Sequence, residues 1–207
     1  MTKIAILIDG GYLREVAKKQ TYYYDEEFIE KMIFSIPQPD EQLFRVLYYD
    51  CNRYQGKVIL PVSRKPHEYK ANDWLSRLAT KNFVAVRQGV LKFRGFKLTK
   101  MPAPNTSLSD DDFSPIFEQK GVDMRLGIDI ANFSISKSVG RIILISGDTD
   151  CVPAMKYGRI SGLQIVIIRL PNQTLSPELL RHADECRDVQ WPTNAKKKFQ
   201  NPKTPTS

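Results

Sequence analysis

The sequence predicts an α/β fold, a three-layer sandwich in which a central, mostly parallel sheet is flanked by helices. The first observation is a set of apolar, β-branched runs of strand length at residues 4–8, 142–145 and 165–168. Nearly continuous runs of this kind are typical of strands buried on both faces. The second is that these runs alternate with stretches of helical spacing, which places the strands parallel. With 207 residues, 42% of them hydrophobic, the chain suits one such domain.

The first part of the chain predicts one strand and two helices. A strand at residues 3–8 ends at Asp9, and a helix follows at 12–20. A second helix is predicted at 25–36, because apolar residues recur there with the spacing of one helix face. Pro37 ends this helix, since proline has no backbone N–H with which to continue it.

The middle of the chain continues the alternation. The elements predicted here are strands at 44–49, 83–87 and 90–93 and a helix at 66–80. Asp50 ends the first of these strands, and Gly89 separates the last two. The helix is predicted from an apolar stripe that begins at Trp74.

Residues 100–119 differ from their surroundings. They contain three prolines, three serines, one threonine and an acidic run at 110–112, which predicts a loop insertion. The alternation then resumes. The later elements predicted are helices ending at about 137 and at 152–160 and 177–182, and strands at 141–145, 164–169 and 188–190.

We expect one folded domain at residues 1–191 and a flexible basic tail at 192–207. The tail has four lysines and no acid, so it carries half of the net charge of +8. The folded part is therefore only mildly basic, and its charge alone is a weak indication of a polyanionic partner.

Cysteine and histidine content excludes several kinds of site. Three scattered cysteines without a CxxC pair argue against a disulfide framework or a structural zinc site. Only His67 and His182 are present, which excludes a histidine-rich metal centre. No apolar run reaches the length of a membrane span, and no leader pattern opens the sequence. We therefore expect a cytoplasmic protein that has no membrane partner.

Three predicted strands end in aspartate, namely Asp9, Asp50 and Asp148. Because the carboxyl ends of parallel strands meet at one edge of a sheet, these acids are expected near one another, with Asp123 and Asp150 close by. Each alone is also explained as a cap or turn residue. Together they would repel one another, and Mg²⁺ or Mn²⁺ relieves such repulsion. A site of this kind can activate water against a phosphodiester.

Three short segments resemble the motifs of the NYN domain family. They are IAILIDGGYL at residues 4–13, KGVD at 120–123 with Asp129 further along, and SGDTD at 146–150. The resemblance is nearest to the LabA-like branch and covers roughly residues 3–170. NYN domains belong to the PIN-like nuclease superfamily. The resemblance therefore implies a PIN-like sandwich and a metal-dependent ribonuclease that hydrolyses RNA with Mg²⁺ or Mn²⁺.

The resemblance also implies roles for individual residues. The catalytic set would be Asp9, Asp123, Asp148 and Asp150, of which the first three would bind the metal. Secondary candidates are Asp129, Ser146, Thr149 and Asp50. Asp129 ranks lower because six residues along a helix turn it by about 600° from Asp123, onto another face. Many relatives have asparagine where this chain has Tyr12, so substrate orientation departs from the family pattern here.

RNA is the expected partner. Basic residues that could contact phosphates are Arg53, Lys92, Arg94 and Lys120, although a solvated surface explains each of them equally. Lys92 and Arg94 alternate with Phe93, which places the two cations on one side of a strand. An exposed sheet edge is also compatible with a homodimer.

Two alternatives to a ribonuclease remain open. One is a non-catalytic RNA-binding or regulatory NYN module that keeps the fold. The other is a different metal-dependent phosphate enzyme. A Toprim-type nuclease would have Glu after an early strand, where this chain has Asp9, and a haloacid-dehalogenase phosphatase would have DxD where Asp9 is followed by two glycines.

Overall fold

The structure is a computed structural model that describes residues 1–70, 72–99, 107–193 and 195–197. The elements in chain order are β1 (Thr2–Asp9), α1 (Gly10–Lys19), α2 (Glu26–Ser35), β2 (Glu41–Cys51), β3 (Gly56–Ile59), β4 (Pro66–Tyr69), α3 (Trp74–Leu78), β5 (Val84–Leu98), β6 (Phe113–Lys120), α4 (Val122–Ser136), β7 (Arg141–Ile145), α5 (Val152–Ile160), β8 (Gln164–Arg169), α6 (Pro177–Arg181) and β9 (Glu185–Asp188). Short 3-10 turns are formed by Asp110–Asp112 and Thr149–Cys151.

Seven strands form one sheet in the order β6-β5-β2-β1-β7-β8-β9. Neighbouring strands are parallel except β5 and β6, which are antiparallel. This confirms the predicted α/β fold with a central, mostly parallel sheet. Within the described parts of the chain, no helix is long and apolar enough to cross a membrane.

Alternate residues of β1 supply the two halves of the core. Ile4, Ile6 and Ile8 pack in one cluster with α1, α2 and α3, whereas Ala5 and Leu7 pack in the other with α4, α5 and α6. All five side chains are fully buried. Because successive residues of a strand point to opposite faces, a continuous apolar strand requires helices on both sides of the sheet. The result is the three-layer arrangement expected from the sequence.

β5 is one strand of 15 residues, where the sequence predicts two strands separated by Gly89. Gly89 does not interrupt the strand. A Cβ at this position would lie 2.7 Å from Val122 Cγ2, so the missing side chain allows the start of α4 to pack against the strand. Glycine here indicates close packing and not a break.

β6 occupies the second half of the predicted loop insertion at 100–119. Its residues 113–120 pair with β5, with Phe117 opposite Phe93. Pro115 is tolerated because β6 is at the edge of the sheet, where one side of the strand needs no N–H donor. Residues 100–106 of the predicted loop lie outside the described residues.

The predicted helix at 66–80 is only partly correct. Residues 66–69 form β4, which pairs with β3 in a separate two-stranded hairpin, and only Trp74–Leu78 is helical. The hairpin is fixed by aromatic contacts. The Tyr69 ring meets the Phe117 ring of β6 at 5.5 Å between centroids, a long-range contact that local spacing does not reveal.

The C-terminal residues also differ from prediction. The last strand is β9, three residues earlier than expected, and parts of the predicted flexible tail contact the domain. The backbone N–H of Tyr23 donates to the Lys196 carbonyl at 2.8 Å, and Lys196 Nζ pairs with Glu27 at 2.8 Å. Residues 194 and 198–207 lie outside the described residues.

A buried ion-pair network joins strands that are not neighbours. Glu41, the first residue of β2, accepts hydrogen bonds from Arg187 of β9 and from Arg141 of β7. Burial alone would raise the pKa of Glu41. Hydrogen bonds from Arg187, the Gln38 backbone N–H and Arg141 outweigh burial, so the pKa lies below its ordinary value. The network therefore stabilises the fold while Glu41 is ionised.

We expect Glu41→Gln to lower the free energy of unfolding by about 3–5 kcal/mol, because buried Arg187 loses its buried charged partner and keeps only the exposed Glu185. The folded pKa of Glu41 is lowered, so this stabilisation is present above its unfolded pKa and is lost as pH falls through the folded value. Urea denaturation at neutral pH and in acid should therefore show the variant and the wild type converging in acid.

Glu118→Gln is the matched control, because Glu118 makes its ion pairs with Arg94 and Lys120 on the exposed surface. Surface pairs contribute little to stability. A loss in Glu41→Gln no larger than in Glu118→Gln would contradict a stabilising role for the buried network.

Candidate functional site

The acids predicted to converge follow adjacent elements. β1 and β7 are parallel neighbours, with Ile8 opposite Ile145, so Asp9 and the Ser146–Asp150 turn emerge at the same edge. Asp123 lies in the first turn of α4. The charges of Asp148 and Asp150 raise the pKa of Asp123, and the charge of Asp123 raises that of Asp9. These four carboxylates therefore form one acidic cluster.

Asp9 is the most enclosed member of the acidic cluster. Its Oδ1 accepts from the Tyr12 backbone N–H at 3.0 Å, which caps α1, and its Oδ2 accepts from Ser146 Oγ at 3.4 Å. Burial is the main cause that raises its pKa, and the charges of Asp123 and Asp50 add to it. Two donors thus orient the carboxylate, but their hydrogen bonds do not fully offset the cost of burying its negative charge.

Ser146 links Asp9 to Asp148. Its buried hydroxyl donates to Asp9 and accepts from the Asp148 backbone N–H at 3.1 Å. Asp148 in turn caps the 3-10 turn, because its Oδ1 accepts from the Asp150 N–H at 3.0 Å. Thr149 begins that turn, and its carbonyl accepts from the N–H of Val152. Asp148 thus caps the 3-10 turn and is also a member of the acidic cluster.

Asp123 is exposed at the start of α4. Burial is the first cause that raises its pKa, followed by the charge of Asp148 and then by that of Asp150. None of the ion pairs found among residues 1–70, 72–99, 107–193 and 195–197 involves a carboxylate of the acidic cluster. The negative charge at this edge is therefore not neutralised by a described lysine or arginine.

The donor set of the acidic cluster fits a hard divalent cation in its chemistry. It consists of carboxylate oxygens, which Mg²⁺ and Mn²⁺ prefer. Within the described residues, no three His, Cys, Asp or Glu side chains come close enough to enclose a metal ion. Mg²⁺ is usually held by one or two carboxylates together with water and substrate phosphate oxygens. An open cluster of this kind suits that mode of binding.

Tyr12 lies against the Ser146–Asp150 turn. A Cβ at Gly147 would lie 2.5 Å from the Tyr12 ring, so glycine is required for this close approach. Burial and the neighbouring charge of Asp9 raise the pKa of Tyr12. The ring therefore walls one side of the acidic cluster.

Asp50 does not join the acidic cluster as a free acid. It is buried and forms an ion pair with Arg14 of α1, and it also accepts from Tyr48 Oη at 3.3 Å and Gln119 Nε2 at 3.4 Å. Arg14 and Gln119 were not among the residues predicted from the sequence. Arg14 could have been suspected, because it follows Asp9 by little more than one helical turn, whereas Gln119 fell in a predicted loop.

Asp129 lies away from the acidic cluster. It accepts from Tyr49 Oη at 3.0 Å and pairs with Arg87 Nε at 2.8 Å, which ties α4 to β2 and β5. Asp129 is buried in this position. Its contacts are structural hydrogen bonds to the sheet.

The predicted RNA-contacting residues divide between two places. Lys92 and Lys120 lie on one face of the β5–β6 pair together with Glu118, which pairs with both Lys120 and Arg94. Arg53 lies apart from them and lines a cavity beside Arg14.

A family model of the NYN domain matches residues 3–190. The chain belongs to the NYN domain family. NYN domains have a PIN-like fold and are generally nucleases. The match agrees with the resemblance of the three motifs in the sequence, and the acidic cluster of this NYN domain is built by those motifs.

The fold of this NYN domain is similar to the crystal structure of a protein of unknown function from Vibrio parahaemolyticus RIMD 2210633. The TM-score is 0.53 and the identity 15%, over 91% of this chain and 93% of that chain. At this identity the similarity concerns the fold alone. No curated protein matches the chain in sequence.

We expect Arg14→Met to lower the free energy of unfolding of the NYN domain by about 3–5 kcal/mol, because it leaves Asp50 buried without a charged partner. Adding Asp50→Asn should recover much of that loss, since a neutral amide is less destabilising there. Urea denaturation of both single variants and the double variant measures this coupling. Equal losses in Arg14→Met and in the double variant would show that the ion pair is unimportant.

Proposed function

We propose that this NYN domain is a metal-dependent ribonuclease that hydrolyses RNA phosphodiester bonds. The observation that supports it is the acidic cluster, in which carboxylates from β1, α4 and the turn after β7 meet without a described cationic partner. Membership of a family of PIN-like nucleases gives this cluster its most direct interpretation.

In this proposal one or two of the carboxylates of Asp9, Asp123 and Asp148 would hold Mg²⁺ or Mn²⁺ together with water and substrate phosphate oxygens, and Asp150 would contribute through a water molecule. Such a cation supplies Lewis-acid stabilisation of phosphate oxygens and lowers the pKa of a water nucleophile. The chain orients these ligands. Ser146 fixes one oxygen of Asp9, and the Tyr12 backbone N–H fixes the other, so the carboxylate is positioned before substrate arrives.

The environment of the acidic cluster also serves the proposed reaction. The Tyr12 ring covers one side, which limits the directions from which a phosphate can approach. Arg14 neutralises Asp50 beside it, so RNA meets fewer uncompensated negative charges at this edge. Cations elsewhere on a chain of net charge +8 favour association with a polyanion.

Within the family we place the chain in the LabA-like branch, on the motif sequences of its first strand and of the SGDTD turn. A second candidate function is a non-catalytic RNA-binding or regulatory module. One observation favours it, namely that no three described acidic side chains lie within the reach of a single metal ion.

We expect wild-type protein to cleave labelled single-stranded RNA with Mn²⁺ or Mg²⁺ and not with chelator. Asp148→Asn should lower the cleavage rate by about a thousandfold, because it removes a charged ligand from the acidic cluster. The matched control is Asp111→Asn, which changes the same charge on the exposed Asp110–Asp112 turn and should cleave like wild type.

RNA binding is measured in parallel by fluorescence anisotropy. Bound RNA without metal-dependent cleavage by wild type would replace the ribonuclease with the non-catalytic module. Equal cleavage by wild type and Asp148→Asn would show that the acidic cluster is not the site of hydrolysis.

A further inference from the structure

A cavity of about 440 Å³ lies beside the Arg14–Asp50 ion pair. Arg14 and Gln119, two of the side chains that hydrogen-bond to Asp50, form part of its wall. A Cβ at Gly11 would lie 3.3 Å from Asp9 Oδ1 and 3.8 Å from the Gln119 side chain. Gly11 therefore lies beside both Asp9 of the acidic cluster and Gln119 of the cavity wall.

Two unpaired acceptors lie in the wall of this cavity. Among the described residues, the buried side-chain oxygens without a hydrogen-bond partner are Asn52 Oδ1 and Asn72 Oδ1, and both asparagines line the cavity. Asn52 Nδ2 donates to Gln88 Oε1 at 3.2 Å, which fixes the orientation of that amide. Buried acceptors in native proteins almost always have a partner. Both acceptors therefore need an N–H or O–H donor that the described residues do not supply.

Aromatic and cationic side chains complete the cavity wall. Trp74 contributes its indole, which is held edge-on by Tyr48 at 5.7 Å between ring centroids. Arg53 adds positive charge, whereas Arg77 is paired with Glu26, which also lines the cavity. A planar group that stacks on indole, donates N–H bonds and is linked to a phosphate matches all three features, and this is the chemistry of a nucleotide.

A second cavity lies next to the first and shares two lining residues with it. Arg53 and Leu91 also line this second cavity of about 550 Å³, whose wall includes the rings of Tyr54 and Tyr69. Successive aromatic platforms beside a cationic side chain suit unstacked bases, which each present a flat face. A base-paired strand would not expose its bases to such a surface.

We propose that the cavity lined by Asn52 and Asn72 binds one unpaired base of single-stranded RNA, next to the phosphodiester at the acidic cluster. The position of that phosphate rests on the proposed function. Because both amide oxygens accept hydrogen bonds, bases with an exocyclic amino group bind better than uracil.

The test is binding of fluorescein-labelled hexamers of adenylate, cytidylate and uridylate, measured by anisotropy in EDTA so that no metal-dependent cleavage occurs. We expect the adenylate and cytidylate hexamers to bind about tenfold more tightly than the uridylate hexamer. Asn52→Ala and Asn72→Ala should each remove most of that preference. Asn132→Ala, an exposed asparagine on α4, is the matched control and should keep it.

Thermal unfolding tests whether a lost base preference in the asparagine variants is caused by misfolding. Asn72→Ala removes a buried acceptor that has no partner, so the melting temperature should not fall. Unchanged preference in both asparagine variants, or no binding of any hexamer by wild type, would overturn the proposal.

A free nucleotide offers the same base chemistry, so AMP is added as a competitor. Binding of AMP without binding of the hexamers would overturn the assignment to RNA. Cleavage is scored separately. Metal-dependent hydrolysis with no base preference would refute this subsite alone, whereas base preference without hydrolysis would refute only the proposed ribonuclease.

Discussion

Parallel pairing of β1 with β2 on one side and with β7 on the other brings Asp9, Asp50 and Asp148 to the same edge of the sheet. Like charges placed side by side in a partly buried setting repel one another. The structure resolves this in two ways. Asp50 is neutralised by Arg14, while Asp9 receives only hydrogen bonds from uncharged donors. The edge is thus divided into a compensated half and a half that retains its negative charge.

Much of this arrangement can be predicted from the sequence, because it follows from local patterns. β-Branched runs identify β1, β7 and β8, and the parallel topology then places Asp9 and Asp148 together. What could not be predicted depends on partners distant in the chain. Pro115 predicts a loop, but it is compatible with a strand at the sheet edge, where β6 pairs with β5. Asp129 pairs with Arg87, which lies 42 residues away on another element.

Close ring–backbone contacts explain why the edge keeps its shape despite the repulsion. Tyr12 packs on Gly147, and Tyr48 packs on Gly10, where a Cβ would lie 2.4 Å from the ring. Both glycines are next to acids or their hydrogen-bond partners. Packing in a protein interior resists displacement. The two rings therefore hold the start of α1 and the turn after β7 in place, so the carboxylates that these segments carry cannot move apart freely.

Successive side chains of β6 point to opposite faces of the β5–β6 pair, so its polar residues belong to two separate surfaces. Gln119 donates to Asp50 and lines the cavity that contains Asn52 and Asn72. Its neighbours Glu118 and Lys120 lie on the other face of the β5–β6 pair. The cavity is therefore walled by Arg14 and Arg53, whereas Lys92 and Lys120 lie on the opposite face of the β5–β6 pair. The positive charge of that face is partly neutralised, because Glu118 pairs with Arg94 and Lys120. Of the basic residues singled out in the sequence, Arg53 is the one that lines the cavity beside Arg14.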